Sequence, residues 1–169
     1  DPGDCIGMTD PTYSLYPVLA AIQDSRCKMV PLTDQWSLPG TFADDLNQEN
    51  CKLTFLVNPH APSGCLLPPE EISAIADSLD GLLIVDEAYI DFVDLPNHDL
   101  TTMATNSKNI VLLRTLSKGY GLAGLRFGYG IGRPFLTPQD LSLGRVEGDH
   151  VGQVIRVLSV QDFDDEPAV

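Results

Sequence analysis

Residues 52–87 read KLTFLVNPHAPSGCLLPPEEISAIADSLDGLLIVDE. Lys52 to Val57 is a short run rich in apolar and β-branched residues, and it ends in the turn-forming NPHAPSG. Pro68, Pro69, Glu70 and Glu71 then place proline and negative charge where a helix begins. Ile72, Ile75, Ala76 and Leu79 form one apolar stripe at helical spacing, Gly81 stops the helix, and Leu82 to Val85 is a second buried strand. Strand, loop, helix and strand make a βαβ unit, so the two strands are expected to be parallel neighbours.

The pattern extends outward in both directions. Upstream, Leu15, Val18, Leu19 and Ile22 mark one face of a helix within Ser14 to Asp24, with Pro17 confined to its first turn, and Lys28 to Leu32 reads as a strand. Downstream, Ile110 to Leu113 is a further apolar strand followed by the polar RTLSKGYG, and Arg126 to Ile131 has room for another. Residues 95–109 are polar enough for a surface connection or a weak helix. The class is α/β, a mainly parallel sheet flanked by helices. In such sheets ligands bind outside the carboxyl ends of strands. Three polar clusters are therefore expected at one sheet edge: Asn58 to Gly64, Asp86 to Tyr89 and Thr115 to Lys118.

Composition narrows the partners. The 169 residues carry 24 Asp and Glu against 10 Lys and Arg, a formal charge of −14, which argues against nucleic acid and anionic membranes as partners. No apolar run approaches the roughly 20 residues that a membrane-spanning helix needs. The opening DPGDCIGMTDPTYSLY has neither the basic nor the apolar region of a secretory leader, so a cytoplasmic setting is expected. Cys5, Cys27, Cys51 and Cys65 lack metal-site spacing and read as reduced, mostly buried thiols, while His60, His98 and His150 are scattered; no metal is expected. The last residues, QDFDDEPAV, read as a frayed acidic end.

Two familiar motifs fail on context. Gly119, Gly121 and Gly124 spell the dinucleotide fingerprint, but Arg114 to Lys118 separate them from their strand and no acid-tipped second strand follows. LLIVDEAY resembles the acid-tipped strand of a nucleotide hydrolase, without the phosphate loop upstream. One group uses all three clusters together. A cofactor with an aldehyde, a pyridine nitrogen, a phenolic oxygen and a phosphate calls for a lysine amine at Lys118, a carboxylate at Asp86, and Arg126 with Ser117 for the phosphate. That cofactor is pyridoxal 5'-phosphate.

DPTYSLY, NPHAPSG, IVDEAYIDF and LLRTLSKGYGLAGLRFGYGIG, in that order, resemble the fold-type I aminotransferases, and within them the histidinol-phosphate aminotransferase family. The resemblance covers about Asp1 to Gly132. It implies that Lys118 forms the Schiff base and moves the proton, that Asp86 meets the pyridine nitrogen, and that Tyr89 donates to the phenolic oxygen. By the same resemblance Tyr13 stacks on the ring, and Thr115, Ser117 and Arg126 surround the phosphate. Asn58 is the nearest replacement for a family asparagine whose place is taken by Ala61, with His60 behind it. Glu87 reads as a structural or solvated neighbour of Asp86. The implied domains are a partial large (cofactor) domain over 1–132 and an atypical, poorly ordered acidic tail over 133–169. The implied substrates are an amino donor, histidinol phosphate, and a 2-oxo acid, 2-oxoglutarate, handled by a homodimer in histidine biosynthesis. A threonine-phosphate-decarboxylase-like enzyme shares these motifs, and an inactive fragment or a nucleotide-binding domain are the readings of other classes.

Overall fold

A computed structural model describes residues 1–95 and 98–133, together with the backbone of 154–159. The chain divides into two compact units, Asp1–Asp86 and Glu87–Val169.

In the first unit four strands, β1 (Cys5–Asp10), β2 (Arg26–Pro31), β3 (Cys51–Val57) and β4 (Leu82–Asp86), pair in the order β2-β1-β3-β4, all parallel. Three helices connect them: α1 (Leu15–Ile22), α2 (Phe42–Gln48) and α3 (Pro69–Ser78). The βαβ unit of residues 52–87 is present as expected. Pro69 opens α3, Glu70 and Glu71 lie in its first turn, and Ile72, Ala76 and Leu79 are buried. The strands are buried through Met8, Val30, Leu56, Val57, Leu83, Ile84 and Val85. Gly7 belongs to this packing, because a Cβ there would stand 2.6 Å from Leu46 Cδ2 of α2.

Helix α1 turns a different face inward from the one its periodicity suggests. Leu15, Val18, Leu19 and Ile22 are exposed, Val18 at 50% and Ile22 at 70%, whereas Tyr16 and Ala20 are buried. The sequence of α1, LYPVLAAI, contains no charged residue, so hydrophobicity marks no unique stripe and packing selects the face. Tyr16 wins because its ring stacks on Phe55 at 4.2 Å between centroids, within a core cluster that includes Met8 and Val57.

The thiols divide too. Cys5 and Cys51 are register partners on β1 and β3 with their Sγ atoms 3.0 Å apart, and both are buried. Burial, and then the hydrogen bond with Cys5, push the Cys51 thiol up to about 12. Cys27 is exposed and Cys65 intermediate, so only half of the cysteines are buried as the sequence reading had them.

In the second unit β5 (Ile110–Thr115), β6 (Phe127–Gly132) and β7 (Val154–Ser159) pair antiparallel in that order. Helix α4 (Thr101–Asn106) packs on β5 and β6, so the weak helix within 95–109 forms. Single 3₁₀ turns occupy Ile90–Phe92 and Ala123–Leu125. Of the segment from Arg133 onward, Val154–Ser159 is a strand; residues 134–153 and 160–169, including the acidic end, lie outside the described residues. Among the described residues no helix is long and apolar enough to cross a membrane, and no His, Cys, Asp or Glu group is arranged to hold a metal.

Candidate active site

The order β2-β1-β3-β4 places the reversal of chain direction across the sheet between β1 and β3. The crevice beyond such a switch point is where α/β sheets bind ligands. The residues that leave these two strands meet there: His60 Nε2 donates to the Pro11 carbonyl at 3.0 Å, and His60 Nδ1 pairs with Ser63 Oγ at 2.8 Å. Tyr13 follows directly, 48% exposed, with its ring edge-on to Tyr16 at 5.5 Å. At the end of β4, Asp86 accepts a hydrogen bond on Oδ2 from the Tyr16 hydroxyl. Burial first, then the charge and hydrogen bond of Asp86, raise the pKa of Tyr16, so its hydroxyl stays a donor. The Asn58 amide N–H donates to the Asp86 carbonyl at 2.8 Å and ties the β3 end to the β4 end. Tyr13, Asn58 and Asp86 are thus gathered at one edge of this unit.

The Asn58 side chain is committed elsewhere. It is fully buried, its Nδ2 donates to the Leu67 carbonyl at 3.3 Å, and its Oδ1 accepts from the Leu67 N–H at 2.8 Å. Both ends of the amide clasp the loop between β3 and α3, a structural task that the sequence reading did not assign.

In the second unit the loop from Thr115 to Arg126 carries the other expected residues. Thr115 Oγ1 donates to the Phe127 carbonyl at 3.1 Å and accepts from the Ser117 N–H at 3.1 Å. The Leu122 N–H donates to the Leu116 carbonyl at 3.0 Å and closes the loop's base. Gly119 is required there, since a Cβ would overlap the Asp91 side chain. The fixed loop presents Lys118, which is exposed, with Nζ 5.4 Å from the centre of the half-buried Tyr89 ring. Behind it Glu87, buried to 1% exposure, accepts from Arg114 Nε at 2.6 Å, and Asp99 lies 3.5 Å from Arg114 Nη2. Glu87 is therefore structural, one of the two readings the sequence left open.

The family model for aminotransferase class I and II matches residues 1–159. The chain belongs to this family. A histidinol-phosphate aminotransferase of Rhodopirellula baltica is 40% identical over 137 residues, which are 81% of this chain and 36% of that protein. A second, from Geotalea uraniireducens, is 38% identical over 165 residues, covering 97% of this chain and 46% of that protein. Among solved structures, the histidinol-phosphate aminotransferase of Sinorhizobium meliloti in complex with pyridoxal-5'-phosphate superposes with a TM-score of 0.74 at 29% identity, over 80% of this chain and 37% of that one. The chain thus spans less than half the length of these relatives. Both the family match and the Geotalea similarity extend beyond Gly132, where the motif resemblance ends.

The residues present fit a pyridoxal cofactor at most of the family's positions. Asp86 is a carboxylate held by a neutral donor, Tyr13 offers a half-exposed ring, and Lys118 offers an exposed amine on a fixed loop. Asn58 fits least, because its amide already clasps Leu67. Tyr16 is the residue that sequence reasoning missed. Its only signal was its place three residues after Tyr13, and its role depends on Asp86, 70 residues away.

Arg126 adds a conformational signal. Its φ of 49° and ψ of 46° lie in the left-handed region, which costs a non-glycine residue roughly 1–2 kcal/mol. Its side chain is exposed, and among the described residues it hydrogen-bonds the Ala123 carbonyl at 3.4 Å. Arg126→Gly is expected to raise the unfolding free energy by up to about 1 kcal/mol, since glycine adopts this conformation without strain, and to weaken pyridoxal phosphate binding. Paired denaturant melts and cofactor titrations check both signs. A stability gain with unchanged cofactor affinity would remove Arg126 from the phosphate site.

Proposed function

We propose that this chain is the cofactor-binding part of a pyridoxal-phosphate-dependent aminotransferase, acting on histidinol phosphate with 2-oxoglutarate as amino acceptor, in histidine biosynthesis. The observation that carries the reading is Lys118, an exposed amine on a loop fixed at Thr115, Leu116 and Gly119, beside the Tyr89 ring. The amino donor follows the name shared by the relatives from Rhodopirellula and Geotalea, and 2-oxoglutarate is the acceptor that the family resemblance implies. A homodimer is the assembly implied by the same resemblance, and a cytoplasmic setting is the one expected from the opening residues.

When bound, pyridoxal phosphate supplies an aldehyde that condenses with amines and a ring that draws electrons from the substrate Cα. Lys118 would hold the aldehyde through its amine, and the same amine, when free, would take the substrate Cα proton as general base. Asp86 offers its carboxylate to the pyridine nitrogen and favours the protonated ring. Tyr13 provides a ring face for stacking, and Tyr89 a hydroxyl for the phenolic oxygen. Thr115, Ser117 and Arg126 bind the phosphate, with Arg126 as the charged partner. Asn58 orients the β3 end through its backbone bond to Asp86, and a contact to the phenolic oxygen falls to its remaining amide hydrogen.

The test is site-resolved capture. The chain is incubated with pyridoxal phosphate, reduced with borohydride, digested and mapped by mass spectrometry. Lys118 should carry the tag. A tag spread over Lys28, Lys52 and Lys108 as readily as Lys118 would refute the reading.

A further inference from the structure

We propose that Tyr16 is a positioning residue for the cofactor ring nitrogen, fixing Asp86 through its hydroxyl so that the carboxylate meets the pyridine in one orientation. The inference rests on the reading of Asp86 given above. It names the last residue of DPTYSLY, to which the sequence analysis assigned no role.

Three observations converge on it. The Tyr16 hydroxyl donates directly to Asp86 Oδ2. The ring that carries the hydroxyl is held by two neighbours, stacked on Phe55 at 12° between planes and 4.2 Å between centroids, with the Tyr13 ring edge-on at 87°. The side chain is only 6% exposed, so water does not compete freely for the bond. A carboxylate at a strand end has rotational freedom about its last bond, and a fixed donor on one oxygen removes it. The other oxygen is then set in direction, which is what a hydrogen bond to a flat ring's nitrogen requires. The same arrangement explains why α1 turns Tyr16 inward in preference to its more numerous aliphatic residues. Tyr13 and Tyr16 then act as a pair on one helix entrance, the first toward the ring face and the second toward its nitrogen through Asp86.

The test compares two ring systems rather than activity. Binding of pyridoxal phosphate and of its 1-deaza analogue, which has carbon in place of the ring nitrogen, is measured by fluorescence titration for the chain and for Tyr16→Phe. The original chain should prefer the nitrogen-containing ring. Tyr16→Phe keeps the aromatic stack and should lose on the order of 10-fold of that preference, the usual size of a hydrogen bond to a charged group, while its affinity for the deaza analogue stays nearly unchanged. Equal weakening toward both rings would show a purely structural Tyr16 and overturn the proposal, as would a preference that survives the substitution. If the original chain shows no preference, or binds neither ring, the reading of Asp86 falls first and this role falls with it. Should Tyr16→Phe fail to fold, incorporation of 3-fluorotyrosine strengthens the phenol as a donor without removing it. The preference must then change relative to the deaza analogue, and an unchanged preference overturns the proposal.

Discussion

Lys118→Ala should abolish borohydride-dependent capture of pyridoxal phosphate, because the captured bond is formed by the lysine amine itself. The side chain is exposed, with its amine 5.4 Å from the centre of the Tyr89 ring, so the unfolding free energy should move by less than about 0.5 kcal/mol. That contrast, a large chemical loss with almost no loss of stability, separates a catalytic lysine from a packing one. The loop supports the same expectation, because its shape is set by groups other than the lysine: Thr115 on the Phe127 carbonyl, Leu122 on Leu116, and Gly119 against Asp91. Mass-spectrometric mapping of the borohydride-reduced adduct, with circular dichroism melts of the same preparations, measures both sides. Retained capture at a single other lysine would relocate the nucleophile, and a melt displaced by several degrees would make the loop depend on Lys118 after all.

The parts of the fold legible in the sequence are those where one local signal suffices. Leu82 to Val85 is a continuous apolar run, and α3 has proline, acids and a clean stripe in the right order; both formed where expected. Strand β1 escaped notice because Gly7 interrupts its apolar pattern, and the reason for that glycine, the close approach of Leu46, is visible only once α2 is in place. Helix α2, FADDLNQ, carries just Phe42 and Leu46 as buried anchors, too few for periodicity to register. Strand β6 was anticipated but not its antiparallel direction, since an apolar run carries no information about which neighbour it pairs with or in which sense. The site shows the same division. Motifs bring Lys118, Asp86 and Arg126 to notice individually, whereas Tyr16 on Asp86 and Arg114 on Glu87 are contacts across 70 and 27 residues that no local pattern encodes.

That last contact has the largest expected effect on stability. Arg114→Leu removes the guanidinium from a carboxylate that is 1% exposed, and leaving a buried charge without its hydrogen-bonded partner costs about 3–5 kcal/mol. The Arg114 side chain keeps 21% of its exposure, and Asp99 is a second, largely exposed acid beside it, so the lower end, roughly 3 kcal/mol, is expected. Burial tends to lower the pKa of Arg114, but the charge and hydrogen bond of Glu87 outweigh it and the net direction is upward, so the guanidinium remains charged. Because much of the penalty comes from a buried carboxylate that has lost its cationic partner and not from lost attraction alone, adding Glu87→Leu should recover part of it. The double variant should therefore unfold at a higher denaturant concentration than the Arg114→Leu single variant. Denaturant titrations of the original chain, both single variants and the double variant complete the cycle. Additive losses would mean that the pair is not coupled, and that Glu87 is held by its backbone surroundings instead. Glu87 directly follows Asp86 in the chain, so the Arg114 pair anchors the residue next to the carboxylate proposed to meet the ring nitrogen. A loss of cofactor preference in Arg114→Leu that persists in the double variant would show that the anchor serves Asp86 as well as the fold.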